Sequence, residues 1–261
     1  MLPGLAPELI AGIALVIVVA GAVNGLAGFG FALVGTMALA TAIDPATAVV
    51  FMIAPILGVN LSLIRDLSLE DLRTCGRRFT PLILAALIGT IVGLVVLDRL
   101  PQGPLKVGLG VVSLAFVASA QRVAPIPGLD RAKEGCFVES IPGMIGVGAV
   151  SGLLFGGTNV GVQLIAYLRS CNLSHGVFVG VVAMVFLGLN AVRIGAASAL
   201  GLYPSLAIAL ASAVAVIPAV AGVTVGKRLR TRVGERQRRT VVLGLLTLIG
   251  IRLVLGGLGI A

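Results

Sequence analysis

Between residues 8 and 258 the chain is a succession of long apolar runs, at 8–43, 45–64, 79–97, 103–120, 140–169, 175–199, 203–226 and 240–258. About 20 apolar residues suffice for a helix to cross a bilayer, so this pattern leaves little besides an all-α polytopic membrane protein. The runs are continuous and do not alternate, which excludes a membrane β-barrel. Only 11% of residues are charged, against roughly 25% in soluble domains. The opening "MLPGLAPELIAG" carries no basic segment ahead of its apolar run, so no signal cleavage is expected.

A formal charge of +9 would suit a nucleic-acid partner, but the Lys and Arg residues are gathered in short segments between apolar runs. That distribution encodes membrane orientation, and no nucleic-acid partner is expected. Cys75, Cys136 and Cys171 are far apart, and His175 is the one histidine. No spacing suits a metal or a disulfide framework, and no cofactor is expected. An intramembrane enzyme would need a base or a metal that this sequence does not offer.

The chain repeats itself. "GAVNGL" at 21–26 returns as "GAVSGL" at 148–153, "LGVN" at 57–60 as "LGLN" at 187–190, and "GTIVG" at 89–93 as "GVTVG" at 222–226. The offsets are 127, 130 and 133, and their slow growth indicates a duplication with small insertions. Charge then discriminates between topologies. Eight simple crossings divide the 19 basic residues nine against ten. If 140–169 instead enters and leaves on one face as a hairpin, the division becomes fifteen against four, with only Arg99, Lys106, Arg193 and Arg252 on the poorer side. The hairpin obeys the positive-inside rule. Its 30 residues would make two half-helices of about 15, each half a bilayer deep. Duplication implies that 8–43 is a hairpin too.

The expected architecture is therefore two inverted repeats, each a re-entrant or broken-helix hairpin plus three transmembrane helices. Residues 1–121 form the first repeat, 122–139 a cytoplasmic linker and 140–261 the second. Both termini lie outside, and the cysteines lie at the cytoplasmic face. Inverted repeats with broken helices recur in transporters, which hold substrate near the midplane.

Each hairpin contains a glycine-rich interruption, "GLAGFGFALVGT" at 25–36 and "SGLLFGGTNVGVQ" at 151–163. Backbone leaves helical bonding at membrane depth only where protein buries it or it lines a polar cavity. A half-helix starting there offers free N–H groups and a positive dipole end, which favour an anion. Candidate substrate-binding residues are Asn24, Gly28, Phe29, Gly30, Ser151, Gly156, Gly157, Thr158, Asn159 and Gln163. To these are added the repeated pair Asn60 and Asn190, and Arg193, one turn beyond Asn190. Gly21, Gly25, Gly148 and Gly152 have the four-residue spacing of close helix contacts and are assigned to packing. The carboxylates all fall at run ends or in loops, leaving no buried proton relay.

These residues resemble the sulfite exporter TauE/SafE family of membrane permeases. The similarity covers roughly 8–257 and rests on "GLAGFGFALVG" and "GLLFGGTNVG", the apolar helices that follow, and the "GTIVG" and "GVTVGKRL" segments. The resemblance implies export of a small sulfur-containing anion, sulfite or an organosulfonate such as sulfoacetate, across the inner (plasma) membrane. The remaining readings are a channel or importer of another small solute, or a permease subunit of a larger complex. Expected partners are the small anionic substrate, the lipid bilayer and, as one option, a second copy in a homodimer.

Overall fold

The computed structural model describes residues 7–27, 30–64, 79–120, 140–170 and 175–260, with no strand among them. The first half contains α1 (Pro7–Ala27), α2 (Phe31–Ala40), α3 (Pro45–Phe51), α4 (Ile53–Ile64), α5 (Thr80–Arg99) and α6 (Gln102–Ala120). The second contains α7 (Ile141–Thr158), α8 (Val162–Ser170), α9 (His175–Ala199), α10 (Leu206–Val214), α11 (Val216–Arg230) and α12 (Glu235–Gly257). Among the described residues, six segments are long and apolar enough to cross a membrane: Pro45–Ser62, Thr80–Arg99, Ile141–Thr158, Val181–Ala199, Leu206–Arg230 and Arg236–Gly257. The outward faces carry exposed Leu15, Ile88, Leu206, Ile217 and Leu248. In a bilayer such side chains meet acyl chains rather than water. Residues 65–78, 121–139 and 171–174, with all three cysteines, lie outside the described residues.

Two helices are interrupted by a single residue, each three positions before a proline. Proline cannot donate to the carbonyl four residues back. Pro55 therefore leaves the Phe51 carbonyl free where α3 gives way to α4, and the Ser212 hydroxyl of α10 donates to it. Pro218 follows the break between α10 and α11 at the same three-residue distance.

Small residues set the main contacts. α1 packs along α11, α5 along α7, α6 along α12 and α4 along α9. Gly21 faces Ala219 and Gly222, while Gly25 faces Val223 and Gly226, so α1 and α11 run parallel. Gly89 faces Ala149 and Leu153, and Gly93 faces Leu153 and Gly156, so α5 and α7 also run parallel. A Cβ on Gly25, Gly152 or Gly226 would run into the backbone of the facing helix. Conversely, Gly103 lies by Gly257 and Gly110 by Gly250, and the Ser113 hydroxyl donates to the Leu246 carbonyl at 3.0 Å. α6 and α12 are antiparallel.

The glycine-rich segments are helical over most of their described length: the long arms end at Ala27 and Thr158, and the return arms begin at Phe31 and Val162. The long arms, at 21 and 18 residues, exceed the half-bilayer helices expected, and the return arms have 10 and 9. The cause is packing. Gly148, Gly152 and Gly156 place bare backbone against α5, which keeps α7 helical until Asn159. The interruptions are 131 residues apart although "GAVNGL" and "GAVSGL" are 127 apart. Those four extra residues add about one turn to α7.

Candidate functional site

Because α1 and α11 are parallel, the end of α1 is level with Gly226 and Lys227, at the basic end of α11. The end of α7 is level with Gly93, near Arg99 at the opposite end of the bundle. The two interruptions are thus displaced in opposite directions. Gly28 and Phe29 lie outside the described residues.

At the first interruption Gly30 has φ 103°, a left-handed conformation open to glycine, and begins α2. The Asn24 side chain, buried in the last turns of α1, accepts the Phe31 N–H at 3.3 Å through Oδ1. It joins the two arms as an N-cap would.

At the second interruption Asn159 ends α7 with φ 60°, a conformation asparagine tolerates better than most residues. Its Nδ2 donates to Thr36 Oγ1 of α2 at 2.8 Å and to the Val49 carbonyl of α3 at 2.9 Å. One buried side chain thus joins both halves. The contact falls six residues past Gly30, about 9 Å along α2. Asn159 Oδ1 has no hydrogen-bond partner. The Thr158 hydroxyl donates to the Leu154 carbonyl and accepts the Val160 N–H, which fixes the exit from α7. Beyond it, a Cβ on Gly161 would meet the Phe186 ring.

Arg193 of α9 is 0% exposed. Its Nη1 donates to Asn190 Oδ1 at 3.2 Å, as their one-turn spacing predicts. Its Nη2 donates to the Gly156 carbonyl at 3.1 Å, in the last turn of α7. The guanidinium carbon stands 4.8 Å from the centre of the Phe155 ring, which lies 5.0 Å from that of Phe186. A cation at a helix C-terminus meets the negative end of the dipole. Arg193 Nε remains without a partner, and no carboxylate is buried among the described residues. The site holds a positive charge with no buried counter-ion among the described residues.

The other expected residues fall around this centre. Asn190 Nδ2 donates to the Phe186 carbonyl at 2.7 Å. Gly156 supplies the carbonyl for Arg193, and its hydrogen-only face meets the Thr90 carbonyl. Gly157 is freer, since a Cβ there would stand 3.4 Å from the Gly93 carbonyl. Ser151 is buried inside α7 and lines a shallow groove with Gly146, Val147, Val150 and Gln163. Gln163 Oε1 has no partner there. Asn60 is half-buried on α4.

Sequence reasoning did not select Phe155, Phe186, Tyr203 or Arg238 as ligands. Tyr203, between α9 and α10, lies in the field of Arg193. Burial holds its phenol above the ordinary range, while Arg193 and hydrogen bonding with Ser212 pull the other way. The Arg238 Nη1 of α12 donates to the Leu26 carbonyl of α1 at 2.9 Å, and its Nε is also unpartnered. It sits in the basic run 227–239, where charge counting reads it as one more loop cation.

Neither the curated proteins nor the solved structures contain a match to the chain. The family described as sulfite exporter TauE/SafE matches residues 13–253. With all but the two ends inside that match, the chain belongs to the sulfite exporter TauE/SafE family, a family of membrane permeases for sulfur anions.

Proposed function

We propose that this chain exports a small sulfur oxyanion, sulfite or an organosulfonate such as sulfoacetate, through a site between its two broken helices. The observation that carries this reading is Arg193, a fully buried guanidinium with a free Nε and no buried carboxylate among the described residues. An uncompensated cation inside a membrane protein is costly and is a functional site by default. A permeating anion supplies the missing charge when it binds. Nε donates to it, the Asn190 and Gly156 contacts orient the guanidinium, and Asn159 with its neighbours Gly157 and Thr158 forms the adjacent wall.

Inverted repeats support the same reading. The pairings α1–α11 and α7–α5 exchange when the halves are exchanged, as do α4–α11 and α9–α5. The equivalent helices α6 and α12 pack on each other and run antiparallel. An axis along the bundle would have left them parallel, so the relation favours an axis across it. We place the basic loops in the cytoplasm, both termini outside and the chain in the inner membrane, with Asn60, Ser151 and Gln163 toward the path.

Direction follows from charge. An anion leaving a negative-inside cell gains about 2.3 kcal/mol per charge per 100 mV. Export of a dianion therefore has about 4–5 kcal/mol available, a concentration ratio of roughly 10³, without a coupled proton. The test is efflux from proteoliposomes loaded with sulfite, sulfoacetate or thiosulfate, with potential clamped by potassium and valinomycin. Flux should rise with the potential and ignore an imposed pH gradient. Flux that tracks the proton gradient alone would exclude this mechanism, and His175 at the start of α9 would become the candidate proton carrier.

A further inference from the structure

We propose that Arg238 forms a second anion station, at the opposite end of the path from Arg193, so that substrate is handed from one arginine to the other. This rests on the export reading above.

The two arginines are held alike. Arg238 Nη1 binds the Leu26 carbonyl in the last turn of α1, and Arg193 Nη2 binds the Gly156 carbonyl in the last turn of α7. In each case the carbonyl belongs to the long arm of a broken helix, just before the chain turns back. In each case Nε is buried and has no partner. A guanidinium has five N–H groups in a fixed fork. Using one edge on a helix end leaves the Nε edge to donate to an oxyanion, a division of labour that a lysine cannot perform.

Duplication does not account for the likeness. Arg193 lies on α9 and Arg238 on α12, which are not equivalent helices. The position in the first half corresponding to Arg193, at the offset of 130 between Asn60 and Asn190, is Leu63. Two unrelated arginines have been brought to the two interruptions, which makes their shared geometry a matter of chemistry rather than inheritance.

Their levels differ. Arg238 stands at the end of the bundle that carries Lys227, Arg228, Arg230 and Arg236, whereas Gly156 is level with Thr90 and Gly93, nearer Arg99. An anion arriving from the basic face reaches Arg238 first. Asn24, which caps α2 within three residues of Leu26, lies beside that station.

The experiment compares wild type with Arg238→Gln and Arg238→Lys in proteoliposomes sorted by orientation, using sulfite as the probe. Losing a charge-assisted hydrogen bond should raise half-saturation about tenfold or more from the basic face. The opposite face should change less than about twofold, and lysine should restore little. Unchanged half-saturation, or an equal rise on both faces, overturns the station. If Arg238→Gln does not insert, Arg193→Gln decides. Sulfite should still raise its melting temperature in detergent, because the second station survives, and complete loss of that shift overturns the proposal. Absence of sulfite flux in wild type would instead overturn the export reading itself.

Discussion

The two interruptions of this bundle follow the similar segments "GAVNGL" and "GAVSGL", yet they are finished differently. At the first, a glycine at φ 103° turns the chain, and Asn24 bonds within its own hairpin. At the second, Asn159 turns the chain and bonds outward to Thr36 and Val49 of the other half. The first is closed locally. The second ties the halves together and carries the fully buried Arg193 beside it. Repetition supplies the scaffold, and departures from repetition supply the chemistry.

The scaffold should fail most severely when its repeated contacts are broken. Gly25→Leu and Gly152→Leu each drive a side chain into facing backbone, at Val223–Lys227 and at Ala86 respectively. Overpacking commonly costs about 1–3 kcal/mol, and more where only backbone can move. Both variants should lose their monodisperse peak in size-exclusion chromatography. Gly157→Leu has no such obstacle at its Cβ and should insert normally while losing transport. If it transports normally, Gly157 belongs with the packing glycines and the contrast between scaffold and site weakens.

The next largest effect sharpens the chemical asymmetry. Arg193→Gln should cut sulfite flux roughly 10- to 150-fold, the range expected for a lost charged hydrogen bond. Insertion should survive, because removing an unpaired buried charge relieves desolvation. Asn24→Ala at the first interruption should cost about 1 kcal/mol of thermal stability and weaken sulfite binding far less than Arg193→Gln does. Matching losses of affinity in both variants would make the interruptions functionally equivalent.

These contrasts also mark what could be read from sequence. The crossing segments follow from hydropathy, and the helix contacts follow from glycines four apart, because both signals are local. Asn190 and Arg193 were legible together through their one-turn spacing. The length of the long arms was not, since glycine-rich sequence reads as a break until a partner backbone is seen against it. Asn159 finds partners 110 and 123 residues away, and no pattern within the chain announces that pairing. Arg238 was hidden for the opposite reason: its neighbours share its charge, so the residue that turns inward looks like those that stay out.

The Asn159 bridge predicts a smaller, measurable coupling. A double-mutant cycle of Asn159→Ala and Thr36→Val should give about 0.6–1.7 kcal/mol, the range for polar contacts between membrane helices. Thermal unfolding in detergent reads it. Additive effects would mean that the second interruption does not tie the halves together through this bond.

The smallest effect expected is at Tyr203, and its smallness tests the missing counter-ion. A phenolate beside Arg193 would neutralise the site and leave nothing for a substrate anion to complete. Burial opposes that state. The phenol is held above an ordinary value of 10.0, so at pH 7–8 Tyr203 is neutral even though Arg193 favours its ionised form. Tyr203→Phe then removes a hydroxyl but no charge, and sulfite half-saturation should move by less than about twofold. The effect should stay flat from pH 6 to 8, because a group titrating above 10 does not change its protonation across that interval. A tenfold tightening or weakening of sulfite binding in Tyr203→Phe, growing with pH, would reveal an Arg193–Tyr203 ion pair. The positive charge at the second interruption would then be compensated from within, and the difference between the two halves would lie in packing alone.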